Sequence, residues 1–330
     1  MVDKQKTTDW RVLFASVRGS SHERQNLPNQ DAIALWQPSA LKLPLILAVS
    51  DGHGSAKSFR SEIGSQLAVE IAISCLRGLI EPESSLDKLA QESQLSKQIV
   101  TAWRKAVNAH LEQEAFNEQE IAKLREKGGN SACQSLEHNP LLAYGATLLA
   151  VLVTEDFILY LQLGDGDILC VSPNGVIRRP FSEDKNLIAN ETYSLCMKEA
   201  WQYFRWRIVP LDEPPPMILV ATDGYSNSFA DEADFIQIGR DYLELIRSEG
   251  SEQVAQDLET FLAATSRGGS GDDITLGIIK KLDERDIIDT LKILKAALQE
   301  YQQENETLSQ KIASLEASKQ QESVNTEIVP

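Results

Sequence analysis

Short apolar runs bounded by Gly, Pro, Asp or Asn recur through most of the chain: VLFASV, AIALW, LILAVS, TLLAVLV, FILYLQL, ILCV, MILVAT and ITLGII. Runs of this length with such boundaries predict β-strands. Only Thr154–Asp156 separates TLLAVLV from FILYLQL, and only Pro173–Gly175 breaks ILCVSPNGVIRR. Connections that short fit antiparallel hairpins and are too short for parallel crossovers. The sheet content is therefore expected to be largely antiparallel.

Between the strands the apolar spacing becomes helical. Phe59, Ile63, Leu67, Ile71 and Cys75 fall four apart, which predicts a helix with one buried stripe directly after the DGHG at 51–54. The stretch from about Ser84 to Glu126 has helix-forming composition, and KGGNSACQ is expected to break it. Further helices are expected over Glu232–Arg247 and Glu252–Ala264. Helices and antiparallel strands sharing one unit give an α+β layered architecture over residues 1–282.

The C-terminal segment differs in kind. Leu291, Leu294, Leu298, Tyr301, Asn305, Leu308, Ile312 and Leu315 alternate three and four apart, a heptad seam interrupted only by Asn305. The spacing puts Asn305 at an a position, where a buried Asn fixes register and oligomer state. A coiled-coil helix over 283–318 is expected, serving self-association or partner binding, with an amphipathic helix packed back on the chain as the alternative. Residues 319–330 have the composition of a disordered tail.

Composition narrows the function. An apolar share of 42% is that of a globular protein, and a net charge of −17 argues against a nucleic-acid partner, which needs clustered Lys and Arg. An acidic chain suits one that collects divalent cations. Cys75, Cys133, Cys170 and Cys196 form no C-x-x-C pair, so neither a zinc site nor a redox motif is indicated. MVDKQKTTDWRVLF lacks a signal-peptide pattern, and no window has the apolar length of a membrane span, so no membrane association is expected and the expected compartment is the cytoplasm.

The candidate chemistry lies at strand ends. Asp51 closes LILAVS, Asp223 closes MILVAT, and Asp272 with Asp273 opens ITLGII. A carboxylate just beyond a buried strand has its backbone fixed by the sheet, so several can converge on a hard cation. Each alone is equally a turn or capping residue.

Five ordered segments, HERQNLPNQDA, LAVSDGHGS, YGATLLAVLV with LQLGDGDILCV, LVATDGYSNSF and GGSGDDITLGII, resemble the protein phosphatase 2C family of metal-dependent serine/threonine phosphatases, in its bacterial branch. The resemblance covers roughly residues 10 to 280. It implies a four-layer sandwich of two antiparallel sheets flanked by helices, with two divalent ions, Mn²⁺ or Mg²⁺, at one end. By motif, Asp51 would bridge both ions, the Gly52 carbonyl would bind the second, Asp223 and Asp272 would hold the first, and Asp31 would hold a metal-bound water. Phosphoserine or phosphothreonine of protein substrates would be hydrolysed by a metal-bridged hydroxide, with His53 as general acid. A cognate serine/threonine kinase pathway follows from the same family logic.

The chain also departs from the family pattern. Gln30 stands where the family's second-site glutamate is expected, and Asn26 where its phosphate-binding arginine is, leaving Arg18, His22 or Arg24 to substitute. Asp273 falls where the family often has Asn. No aspartate precedes Tyr144–Gly145–Ala146–Thr147 to serve a third metal ion. The stretch between Pro180 and Trp206 corresponds to a flap, whose Trp201, Phe204 and Trp206 would contact substrate or pack in the core. GDGDIL fits neither an aspartyl-phosphate enzyme nor a calcium loop, since Leu169 takes the next alternate position, and is read as a structural turn. The alternative function is a catalytically weak phosphatase-like scaffold or phosphoprotein-binding module.

Overall fold

The computed structural model describes residues 9–80, 92–182, 192–212 and 214–326. It divides into two units, residues 1–281 and 282–330. Among the described residues the first unit holds two five-stranded sheets. One runs β1 (Trp10–Val17), β10 (Ile274–Lys281), β9 (Met217–Ala221), β6 (Asp167–Val171) and β7 (Ile177–Arg178). The other runs β2 (Ala32–Trp36), β3 (Leu45–Ser50), β4 (Leu148–Val153), β5 (Phe157–Leu163) and β8 (Arg205–Pro210). All pairings are antiparallel.

The sheets face each other over a core that includes Leu45, Leu47, Val49, Val151, Ile218, Val220 and Ile279. The alternate residues Ile46, Ala48, Ala150 and Leu152 point the other way, onto the helices Ser61–Arg77, Glu92–Gln113 and Glu118–His138. The outer face of the β1-containing sheet packs likewise on helices Glu232–Glu249 and Ser251–Gly268. Both faces of each sheet are thus covered, which is why strands such as LILAVS and LLAVLV are apolar throughout instead of alternating. This is the expected four-layer sandwich.

Several local expectations need correction. The stripe from Phe59 to Cys75 is only half-buried, and the fully buried face of that helix is the neighbouring small-residue one, Gly64, Ser65, Ala68, Val69 and Ala72. Small side chains let the helix lie close on the sheet. KGGNSACQ does interrupt the helix, as expected: within Glu118–His138 the backbone leaves helical geometry at Gly129, whose φ of 70° suits glycine. The helix-forming stretch from Ser84 to Glu126 is helical in two pieces, separated before the capping box of Asn117 and Glu120, while residues 84–91 lie outside the described set. RWRIVP forms β8, an edge strand that a charged, aromatic composition conceals. Phe204 is buried, and Trp201 and Trp206 pack partly buried against the helical core.

Arg60, immediately before the first of these helices, ties three segments together. It is 7% exposed. Its guanidinium donates to Glu120 Oε1 at 2.7 Å and Oε2 at 2.9 Å, to the Tyr144 hydroxyl at 2.8 Å and to the Glu114 carbonyl at 2.6 Å. It also lies 4.9 Å from the centroid of Phe116. This fixes the chain just after Asp51–Gly54 against the helical insertion and the Tyr144 turn.

The second unit contains the helix Glu284–Thr326, which continues past Lys319, where the tail was expected to begin. No described helix is long and apolar enough to cross a membrane.

Removing the Arg60 side chain leaves several buried acceptors without donors. Arg60→Ala should therefore lower the unfolding free energy by about 2–3 kcal/mol, read from urea midpoints at constant m; a change within the error of wild type would show that the tie is energetically idle.

Candidate active site

Five aspartates gather where the two sheets end together. Asp31 enters β2 and Asp51 leaves β3, in one sheet; Asp223 leaves β9 and Asp272 precedes β10, in the other. Asp165 occupies the turn by which the chain crosses from β5 to β6, hence between sheets. Asp51, Asp165 and Asp223 offer oxygens that all lie within 4.8 Å of one another. Asp165 was not expected here. Its turn looked structural because its own spacing makes no metal loop, and only the crossover between sheets brings it to the other two.

Backbone contacts hold the donors in place. The Asp51 N–H donates to Thr147 Oγ1 at 3.0 Å, and the Thr147 N–H donates back to the Asp51 carbonyl at 2.8 Å. Thr222 Oγ1 donates to Asp31 Oδ2 at 2.8 Å and accepts from the Thr275 N–H at 3.0 Å, linking the ends of β2, β9 and β10. Asp223 Oδ2 accepts from Asn227 Nδ2 at 2.9 Å. The Gly52 N–H donates to the Gln30 carbonyl at 3.1 Å, and a Cβ at Gly52 would lie 2.5 Å from that oxygen. At Gly224 a Cβ would lie 2.1 Å from the Asp273 carbonyl oxygen. The glycine after each of Asp51 and Asp223 is thus required by close backbone approach.

His22, Asp272 and Asp273 form a second group of potential ligands. The donors around Asp273 show its role. Its Oδ1 accepts from the Gly19 N–H at 2.6 Å, and its Oδ2 from the Gln30 N–H at 2.6 Å and His22 Nδ1 at 2.9 Å. A cation would have to displace these N–H groups, so Asp273 works as a clasp holding the segment from Gly19 to Asp31 onto the start of β10. His22 Nε2 lies 3.8 Å from Asp272 Oδ1. His22 is thus buried at the clasp.

The remaining phosphate-binding candidates are placed elsewhere. Arg18 is exposed and donates to the Leu27 carbonyl at 3.3 Å; Arg24 is exposed and donates to Ser20 Oγ at 3.4 Å. Asn26 caps the helix Ser20–Gln25 in the left-handed conformation, φ 53°, which favours Asn over Arg at that position. His53 is half-buried after the DG turn, its N–H bonded to the Gly145 carbonyl at 3.0 Å.

The electrostatics follow from the crowding. Burial, the largest cause, pushes Asp31 up to about 8, against hydrogen bonds from Thr222 and Thr275. Burial and then the charges of Asp31, Asp223, Asp165 and Asp272 hold Asp51 well above the usual carboxylate range. Burial, with Asp165 and Asp272, brings Asp223 to about 7. Burial raises Asp272 also, and lowers the His53 imidazole. Such a cluster favours protons or cations.

The donor set fits divalent ions. It is made of oxygens, from Asp31, Asp51, Asp165, Asp223 and Asp272 with carbonyls nearby, the chemistry that hard cations prefer. Gln30 Oε1, on a side chain 6% exposed, has no hydrogen-bond partner among the described residues, an orphaned buried acceptor beside the turn at Gly54. A cation or its water is a suitable partner for it.

A sequence model of protein phosphatase 2C matches residues 18–263, ending before Asp272. Similar solved structures include the catalytic domain of the serine/threonine protein phosphatase PstP in complex with two manganese ions, at 19% identity and a TM-score of 0.51, over 84% of this chain and 100% of that one. Serine/threonine phosphatase Stp1 from Staphylococcus aureus matches at 17% identity and a TM-score of 0.50, over 82% and 94%. A C. elegans sex-determining protein matches at 16% identity and a TM-score of 0.54, over 84% and 66%. No curated protein sequence matches the chain. The family match spans well over half the chain, which therefore belongs to the protein phosphatase 2C family and is, as a member, a protein-serine/threonine phosphatase.

Carboxylates whose pKa is raised on folding contribute stability that is fully present below the unfolded value, near 4, and lost as pH rises through the folded value. With Asp31 at about 8 and Asp223 at about 7, the melting temperature in EDTA should fall by several degrees between pH 5 and 8.5. Mn²⁺ should raise it more at pH 8 than at pH 5.5, because protons compete for the same oxygens. Thermal melts check this, and Asp31→Asn should flatten the EDTA slope; a slope unaffected by that substitution would place the titration elsewhere.

Proposed function

We propose that the chain hydrolyses phosphoserine and phosphothreonine in proteins with two divalent ions, Mn²⁺ or Mg²⁺, bound at the sheet ends. The observation carrying this reading is the convergence of Asp51, Asp165 and Asp223 from both sheets, with the orphaned Gln30 oxygen at the Gly54 turn that follows Asp51. Asp51 is the candidate shared ligand, the Gly52 carbonyl and Gln30 serve the second ion, and Asp223, Asp272 and Asp165 hold the remaining positive charge. Two bound ions supply a nucleophilic water at neutral pH and offset the charge on the phosphate oxygens.

The chain's own groups do the rest. Asp31, fixed by Thr222, orients water at the edge of the cluster. His53 donates a proton to the departing serine or threonine oxygen, which is a poor leaving group without one. Its imidazole lies low in the free protein through burial, while the Asp165 charge acts in the opposite direction. The Asp273 clasp positions Gln30 and Asp31 by holding their segment to β10.

The substrates would be phosphoproteins made by a serine/threonine kinase acting in the same pathway, in signalling. Four unpaired cysteines fit a reducing compartment, in accord with a cytoplasmic setting. The scaffold reading draws on one observation: among the described residues Arg18 and Arg24 are bonded to Leu27 and Ser20, so neither is assigned to the phosphate.

Asp223→Ala should abolish Mn²⁺-dependent turnover of a phosphothreonine peptide while the protein stays folded. Wild-type protein that is folded and metal-loaded yet inert would favour the scaffold. A second substitution separates proton donation from metal binding. His53→Gln should lower kcat on the peptide by about 10²–10⁴-fold, and much less on p-nitrophenyl phosphate, whose leaving group needs no proton. Equal losses on both substrates would remove His53 from the general-acid role.

A further inference from the structure

The helix Glu284–Thr326 carries a continuous apolar edge. Ile287, Leu291, Leu294, Leu298, Tyr301, Leu308, Ile312 and Leu315 are each between 37% and 65% exposed. Together with Asn305 they alternate four and three apart, the 3.5-residue period of a coiled-coil seam. We propose that this edge is the interface of a parallel, in-register, two-stranded coiled coil formed by two copies of this chain. The proposal is independent of the phosphatase chemistry.

Asn305 selects the occupant and its direction. In a parallel pair in register, an a position faces its own copy, so the two Asn305 amides can hydrogen-bond to each other. A slip of one heptad sets Asn305 against Leu298 or Ile312 and leaves a buried amide without a partner, the costly case for a polar group. An antiparallel pair that packs a positions on d positions and overlaps from Leu291 to Leu315 is centred on Gln303. It opposes Asn305 to Tyr301 and brings Glu304, at a flanking g position, beside its own copy. In the parallel register Glu304 instead faces Ser309 of the second copy, and the like-charge contact is avoided.

The seam is also long enough. From Ile287 to Leu315 it spans four heptads, about 42 Å at about 1.5 Å per residue. A helix with this much exposed apolar edge is poorly suited to water alone, and self-pairing covers the whole edge at once. The single a-position Asn favours two strands over larger bundles, at some cost in stability.

The test uses the full chain. Size-exclusion chromatography with light scattering at micromolar concentrations should give twice the 36.6 kDa chain mass. Leu298→Asp with Leu308→Asp should return the single-chain mass without loss of the melting transition of the first unit. Asn305→Cys, held in a glutathione redox buffer, should link two chains through position 305, as mapped by mass spectrometry of the linked peptide. A single-chain mass at every concentration would overturn the proposal, leaving the edge to an intramolecular contact or a different partner. A dimer in which Asn305→Cys does not link to itself, but does link to a Tyr301→Cys copy, would overturn the parallel arrangement.

Discussion

Carboxylates crowded into one cleft repel each other and resist burial, and the end of this sandwich is built around that repulsion. Burial dominates the upward shifts of Asp31, Asp51, Asp223 and Asp272, and the charges of Asp165 and Asp272 add to the shifts of Asp51 and Asp223. Protonation relieves such a cluster at low pH and divalent cations relieve it at neutral pH. The interaction that would be a defect in a purely structural site thereby becomes the basis of cation binding.

Holding like charges together requires a rigid frame, and the four layers supply one. Each sheet is covered on both faces, so the strand ends are fixed by packing on both sides. Hydrogen bonds from Thr147, Thr222 and Asn227 then set the aspartates individually. Asp273 is used differently from its neighbour Asp272: its carboxylate is occupied by the Gly19 and Gln30 N–H groups and by His22. Adjacent aspartates thus divide into one that holds the loop and one left facing the cluster.

Much of this was legible in the sequence. Strand ends marked by Asp51, Asp223 and Asp272 located the cleft, because a buried strand announces itself by composition and three such aspartates together are more than turn or capping residues require. Asp165 was hidden, since its neighbours in sequence carry no ligand pattern and its partners come from other strands. His22 had been considered for phosphate, but its burial beside Asp273 depends on a contact across more than two hundred residues of sequence. RWRIVP escaped notice because an edge strand need not be apolar. Asn26 in place of an arginine became intelligible only with its left-handed backbone, which is a helix-ending device and not a feature of the phosphate site.

The central claim is that these oxygens form a two-ion site. The most direct measurement is the manganese content of chelator-stripped, refilled protein, by isothermal titration together with elemental analysis. The account predicts two ions per folded chain, with Asp51→Ala losing both or nearly so, as expected of a ligand proposed to be shared. A folded wild-type chain that retains no manganese at saturating concentration, or an Asp51→Ala chain that still binds two, would contradict it.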